Sequence, residues 1–207
     1  MSWKPWLMSW PEGWGDEAMS QIYLVRHGQA APAGVLAGRA DFPLTDQGRR
    51  EVANLGTTLK AIKFDLAWVS PLTRAQQTLA IILGQRLTPI RVEPGLLEIS
   101  LGQWEGLTKE EIKKNWPSHW IWRGKNLPRH PPPGGESLAQ LAERVWPVFD
   151  RIKQEAMGTT LVVAHQAVNR VILAREWGTP LEMAMNIPQP TAALTILAFP
   201  EKDGGEI

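Results

Sequence analysis

Cysteine is absent from the 207-residue chain. That excludes disulfides, thiolate metal sites and cysteine nucleophiles. Histidine is scarce, with four residues, so a zinc site would have to be built from those imidazoles and carboxylates. An excess of one charge is also missing. The 22 basic and 21 acidic residues leave a formal net charge of +1, and no broad electrostatic footprint for nucleic acid is expected. No apolar run approaches the length of a membrane span, so no membrane partner is expected. The N-terminus lacks the apolar core of a signal peptide, and the expected address is the cytoplasm. What is present is 43% hydrophobic and 21% charged residues. This balance can bury a core in one domain of ordinary size.

The first eighteen residues differ from the rest. Trp3, Trp6, Trp10 and Trp14 are spaced to share one face of a helix, yet Pro5 and Pro11 argue against a continuous one. An aromatic anchor for a partner or a membrane is one reading. A tail packed on its own domain, or an overextended start ahead of Met19, is the plainer one. The expected organisation is a Trp-rich extension over 1–18, a domain over 19–200 and a short tail over 201–207.

Ile22-Tyr23-Leu24-Val25, Leu66-Ala67-Trp68-Val69 and Leu161-Val162-Val163-Ala164 are short runs that are apolar throughout. They read as strands of a sheet covered on both faces. Further strands are expected near 90–93 and 192–199. Thr45 can cap a helix over 46–61. Ser70-Pro71 reads as the start of a helix over 72–86, with proline at its first position. Thr108 with Glu111, and Ser137 with Gln140, form capping-box patterns for helices reaching about 115 and 156. A helix over 167–177 follows the third apolar strand. Residues 29–43 read as loop, and the proline- and tryptophan-rich stretch 116–135 as an irregular excursion. The expected class is α/β: a three-layer α/β/α sandwich around a mostly parallel sheet.

The residues after the apolar strands carry the chemistry. The first strand ends in Arg26-His27-Gly28, the second leads to Arg74, and the third ends in His165. In open α/β sheets the ligand crevice lies beyond the carboxyl ends of the strands. Two guanidinium forks suit a dianion such as phosphate. A neutral imidazole is a competent nucleophile toward phosphorus, and a second, protonated imidazole can stabilise charge on the equatorial oxygens. Glu98 sits in the apolar context Leu96-Leu97-Glu98-Ile99, where burial favours a carboxylic acid able to protonate a leaving alkoxide. Such chemistry needs no metal and no cofactor. Taken singly, each residue has a plainer reading: a structural histidine, a solvated arginine, a salt-bridging glutamate. Their agreement at three strand ends favours a shared pocket.

Leu24-Val25-Arg26-His27-Gly28 resembles the signature of the histidine phosphatase superfamily, the phosphoglycerate mutase-like fold. Gly38-Arg39-Ala40-Asp41-Phe42-Pro43-Leu44-Thr45, Ser70-Pro71-Leu72-Thr73-Arg74-Ala75, Glu98 with Gly102-Gln103-Trp104-Glu105-Gly106, Gly134-Gly135-Glu136-Ser137 and Val163-Ala164-His165 continue the likeness in order over about residues 20–199. The resemblance implies His27 as the phosphohistidine and Glu98 as general acid and then base. It implies Arg26, Arg74 and His165 as the phosphate pocket, joined by a backbone N–H at Gln166. Gln29, Gly38 and Trp104 fall at its substrate-facing positions. Departures are Ala33 where many members carry Asn, Gln166 where Gly is frequent, and Gln29 where Glu is frequent.

The 67 positions between Glu98 and His165 are similar to the shorter phosphatase branch, which includes α-ribazole and broad-specificity phosphatases. The expected activity is metal-independent hydrolysis of a small phosphorylated metabolite, α-ribazole 5′-phosphate among the candidates. A phosphoglycerate mutase and an inactive phospho-ligand-binding module are the alternatives. The excursion over 104–135 is expected to cap the pocket. Its Lys109, Lys113, Lys114, Arg123, Lys125 and Arg129 read as a solvated basic face or as contacts to a second anionic group. Trp104, Trp116, Trp120 and Trp122 read as a pocket wall or as lid core. An exposed strand edge or the Trp-rich segment could pair two copies as a homodimer.

Overall fold

The computed structural model describes residues 19–200 except Ala33 and Met157. The expectations for the extension over 1–18, for Ala33 and for the tail over 201–207 lie outside the described residues.

A five-stranded sheet forms the middle layer. Strands β1 (Met19–Arg26), β3 (Leu66–Val69), β4 (Ile90–Val92), β6 (Thr159–Ala164) and β7 (Leu194–Pro200) lie in the order β4-β3-β6-β1-β7. The pairs β1–β6, β3–β6 and β3–β4 are parallel, and β7 is an antiparallel edge on β1. Alternation within the strands divides the core in two. Ile22, Leu24, Trp68, Val162 and Ala164 face helices α5 (Leu138–Glu155) and α6 (Gln166–Glu176). Tyr23, Val25, Ala67, Val69, Leu161 and Val163 face α1 (Asp46–Thr58) and α2 (Thr73–Leu83). Because both faces are covered, the strands carry apolar residues on both sides. The three-layer, mostly parallel expectation holds.

Both capping boxes form: Thr108 with Glu111 at α3 (Lys109–Asn115), and Ser137 with Gln140 at α5. Three local expectations are corrected. Helix α2 begins at Thr73, two residues beyond Pro71, because the Asp41 carboxylate accepts from both the backbone N–H and the hydroxyl of Thr73. It stops at Leu83, where Gly84 turns left-handed at φ 57°. The loop over 29–43 contains a short strand, β2 (Val35–Leu36), paired with β5 (Leu107–Thr108). The excursion over 116–135 contains a helix, α4 (Pro117–Lys125), which starts on proline at its first turn.

Candidate active site

The parallel register places three strand ends side by side. Arg26 on β1 is level with Ala164 on β6, and the His27 N–H donates to the Ala164 carbonyl at 3.1 Å. The Ser70 N–H, just past β3, donates to Val163 at 3.1 Å. Gly28 then turns the chain against the first turn of α1. A Cβ there would lie 2.6 Å from the Gly48 carbonyl oxygen, and a Cβ on Gly48 would lie 2.0 Å from the Gln29 carbonyl oxygen. The two glycines therefore permit an approach that no other residue allows.

A cavity of about 340 Å³ opens over these strand ends. Arg26, His27, Gln29, Gly38, Arg74, Glu98, Trp104 and Gln166, eight of the nine residues singled out in the sequence, line it. The ninth, His165, is fully buried and packs behind the His27 ring, with ring centroids 5.1 Å apart.

The His27 ring is oriented by two partners. Nδ1 lies 2.6 Å from the Gly28 carbonyl and must donate to it, which leaves the lone pair on Nε2. Nε2 accepts from Arg74 Nε at 3.2 Å. Burial, followed by the nearby Arg74 guanidinium, drives the His27 pKa down to about 3. The ring is thus neutral at any physiological pH.

Arg74 is itself 1% exposed and held by the 38–40 loop, donating to the carbonyls of Ala40 (2.8 Å) and Gly38 (2.6 Å). These bonds, with that to His27, use three of its five N–H groups. Arg26 donates from Nη1 to the Gln189 carbonyl, which also accepts from Gln166 Nε2 at 3.2 Å. The buried Nε of Arg26 has no hydrogen-bond partner.

His165 is the second imidazole, and its surroundings in the free protein disfavour the protonated form. Burial pushes its pKa well below the usual histidine range, and His27, Arg74 and Arg26 push the same way. The ring is neutral in the free protein. Nε2 lies 2.7 Å from Ser70 Oγ, and Nδ1 is buried without a partner.

Glu98 is 8% exposed and follows a 3-10 turn over Pro94–Leu96. One carboxylate oxygen accepts from the Ile99 N–H at 2.9 Å, the other from the Ala167 N–H in the first turn of α6 at 3.3 Å. Gln29 lines the cavity, but its side-chain oxygen accepts from the Thr45 hydroxyl at 2.8 Å.

The residues of the 104–135 excursion separate. Trp104 is 1% exposed and packs on Trp120 at 6.0 Å, and both reach the cavity. Trp122 is exposed beneath Lys125, and Trp116 sits at the junction of α3 and α4. Of the six basic residues, Arg123 alone lines the cavity. Burial lowers its pKa to about 10, and it donates to the His130 carbonyl at 2.8 Å.

Ser70 stood in a recognised segment without a role, and its contact with His165 depends on strand order. Arg144 carries no signal in the sequence: it is one of several charged residues on α5, and its partners lie outside that helix. Among the described residues, no group of three or more His, Cys, Asp or Glu side chains is placed to hold a metal ion, and no helix is long and apolar enough to cross a membrane.

The family model described as the histidine phosphatase superfamily (branch 1) matches residues 22–206. The adenosylcobalamin/α-ribazole phosphatase of Escherichia coli K12 is 32% identical over 165 residues, covering 78% of this chain and 81% of that protein. A 2,3-bisphosphoglycerate-dependent phosphoglycerate mutase of Mesorhizobium japonicum is 39% identical over 155 residues, covering 70% and 75%. The crystal structure of the α-ribazole phosphatase from Shigella flexneri superposes with a TM-score of 0.79 at 28% identity, covering 85% of this chain and 89% of that one. The chain belongs to the histidine phosphatase superfamily.

Proposed function

We propose that this histidine phosphatase superfamily member hydrolyses a small phosphorylated metabolite through a phosphohistidine on His27, without a metal. The observation that carries the reading is a neutral His27 whose Nε2 lone pair, held only by the Arg74 Nε hydrogen bond, lies in a cavity shared with Arg26, Arg74 and Glu98. The phosphate dianion enters between the two guanidinium groups, and Arg74 Nε shifts its hydrogen bond from His27 to a phosphate oxygen. Nε2 forms the N–P bond as the ester P–O bond breaks, and protonated Glu98 gives its proton to the departing alkoxide. Water then attacks phosphorus, Glu98 takes the water proton, and the N–P bond breaks to release phosphate. The dianion also supplies the charge that favours protonation of His165, which is neutral without it.

The cavity suits a substrate of metabolite size. Trp104 and Trp120 offer an apolar wall, as an aromatic base such as ribazole would need. Arg123 offers a cation to a second anionic group. A mutase is the second reading, favoured by the 39% identity to the Mesorhizobium japonicum protein. Mutase and phosphatase share the first half-reaction and differ in whether a substrate oxygen or water attacks the phosphohistidine.

The test begins with phosphate release from p-nitrophenyl phosphate in EDTA. Release supports the metal-independent reaction. Failure, with phosphate or vanadate still bound, would point to an inactive binding module. A coupled assay on 3-phosphoglycerate primed with 2,3-bisphosphoglycerate then separates the readings. Interconversion faster than hydrolysis would establish the mutase. A screen across α-ribazole 5′-phosphate, phosphosugars, phosphoserine and phosphoglycerates assigns the substrate.

A further inference from the structure

The segment carrying Glu98 pairs with no strand among the described residues, so its backbone carbonyls need other donors. Two arginines supply them. Arg144, on α5, donates through Nη1 to Gly95 (2.8 Å) and Leu97 (3.1 Å), and through Nη2 to the Glu98 carbonyl (3.4 Å). Arg39, from the loop after β2, donates through Nε to the same Glu98 carbonyl at 3.1 Å. Both guanidinium groups are held by one carboxylate. Glu136 Oε1 accepts from Arg39 Nη2 at 2.8 Å and Arg144 Nε at 3.1 Å, while Oε2 accepts from Arg144 Nη2 at 3.0 Å. Oε2 also accepts from the Ser100 N–H at 2.9 Å, two residues beyond the acid. The Arg144 and Ser100 hydrogen bonds are chief among the forces holding the Glu136 pKa below its usual value against its burial.

The same loop grips the phosphate side. The carbonyls of Gly38 and Ala40, on either side of Arg39, accept from Arg74. The next residue, Asp41, caps the helix that carries Arg74. Four consecutive residues therefore fix both the phosphate-gripping arginine and the carbonyl of the acid.

We propose that Arg39, Glu136 and Arg144 form a clamp that sets the position of Glu98 relative to the bound phosphoryl group, with Arg39 joining the acid to the phosphate grip. They are positioning residues, acting through Glu98 without touching the substrate. The inference rests on the phosphatase reading above and adds a selective consequence. A misplaced acid slows expulsion of a poor leaving group, which needs the proton, and spares a good one, which does not.

The test is Arg39→Met, which keeps the aliphatic stem of a residue whose side chain is 35% exposed and removes every donor. Activity is measured on p-nitrophenyl phosphate and on an alkyl phosphate such as glycerol phosphate, and the inhibition constant of orthovanadate is determined alongside. The expected result is an alkyl-to-aryl ratio of kcat/KM, which reports the phosphorylation step, that falls about tenfold or more, with vanadate inhibition within about twofold of wild type. Arg39→Lys, which can reach only one of the two acceptors, should recover part of the ratio. Equal losses on both esters, or an unchanged ratio, would overturn the clamp. If Arg39→Met does not fold, the Lys variant decides on the same ratio. Wild-type protein that releases phosphate from neither ester would instead remove the phosphatase reading, so the two failures are distinct.

Discussion

Arg74 Nε donates a hydrogen bond to His27 Nε2 across 3.2 Å, so the most buried cation of the cavity lies on the lone pair that the chemistry needs. The contact keeps the imidazole in one tautomer and one orientation before substrate arrives. In the proposed reaction it also makes capture of the phosphate and exposure of the nucleophile a single event. A dianion that draws the Arg74 N–H to itself leaves Nε2 facing phosphorus. The same guanidinium, after burial, keeps the histidine neutral.

Replacing Glu98 with Gln removes the transferable proton. Activity on an alkyl phosphate should fall by about 10²–10⁴, the usual worth of a general acid or base. Activity on p-nitrophenyl phosphate should fall less in the phosphorylation step, because that leaving group departs as an anion. Burst kinetics on both esters check this, and equal loss of the phosphorylation rate would remove Glu98 from the acid role.

The depressed pKa of His27 predicts how stability depends on pH. Its folded value, about 3, lies below the ordinary histidine value of 6.5. Between them the unfolded chain binds a proton that the folded chain does not, so stability rises with pH across that window. The contribution is fully present above about pH 6.5 and is lost as pH falls toward 3, by up to about 1.4 kcal/mol per pH unit. His165, lowered in the same direction, adds to the slope above its folded value. Urea unfolding of wild type and His27→Asn between pH 5 and 7.5 checks it. The variant should show the shallower dependence, and parallel curves would contradict the assignment.

Ser70→Ala leaves His165 Nε2 without its 2.7 Å partner at a fully buried position. With Nδ1 already unpartnered, the loss should cost about 1–3 kcal/mol of stability and weaken phosphate inhibition, because the ring loses its fixed orientation. Denaturant melts and inhibition constants measured together test this. An unchanged inhibition constant would show that Ser70 does not orient the ring.

The sheet was legible in the sequence because buried parallel strands must be apolar on both faces, a pattern surface strands do not share. Arg26, His27 and His165 were legible because they end or directly follow such strands, and Arg74 because the second strand leads to it through Ser70-Pro71. Glu98 was legible from its apolar neighbours. The start of α2 was not, because Asp41, thirty-two residues away, caps Thr73 and overrides the local Ser-Pro signal. Helix α4 was hidden among prolines, one of which starts it. The neutral state of His165 was hidden too, since it follows from burial beside His27 and two arginines that only the fold assembles. The proposed roles of Glu136 and Arg144 depend on contacts between distant segments: Glu136 stands in a recognisable Gly-Gly-Glu-Ser block with no partner legible there, and nothing in the local sequence of Arg144 distinguishes it from a surface charge.

The most direct test is to trap the phosphorylated protein. Rapid quenching after mixing with p-nitrophenyl phosphate, followed by peptide mapping, should find one phosphoryl group on His27, labile in acid and stable in alkali. It should be absent from His27→Ala, together with turnover. A phosphoryl group on any other residue, or turnover that survives the substitution, would contradict the account.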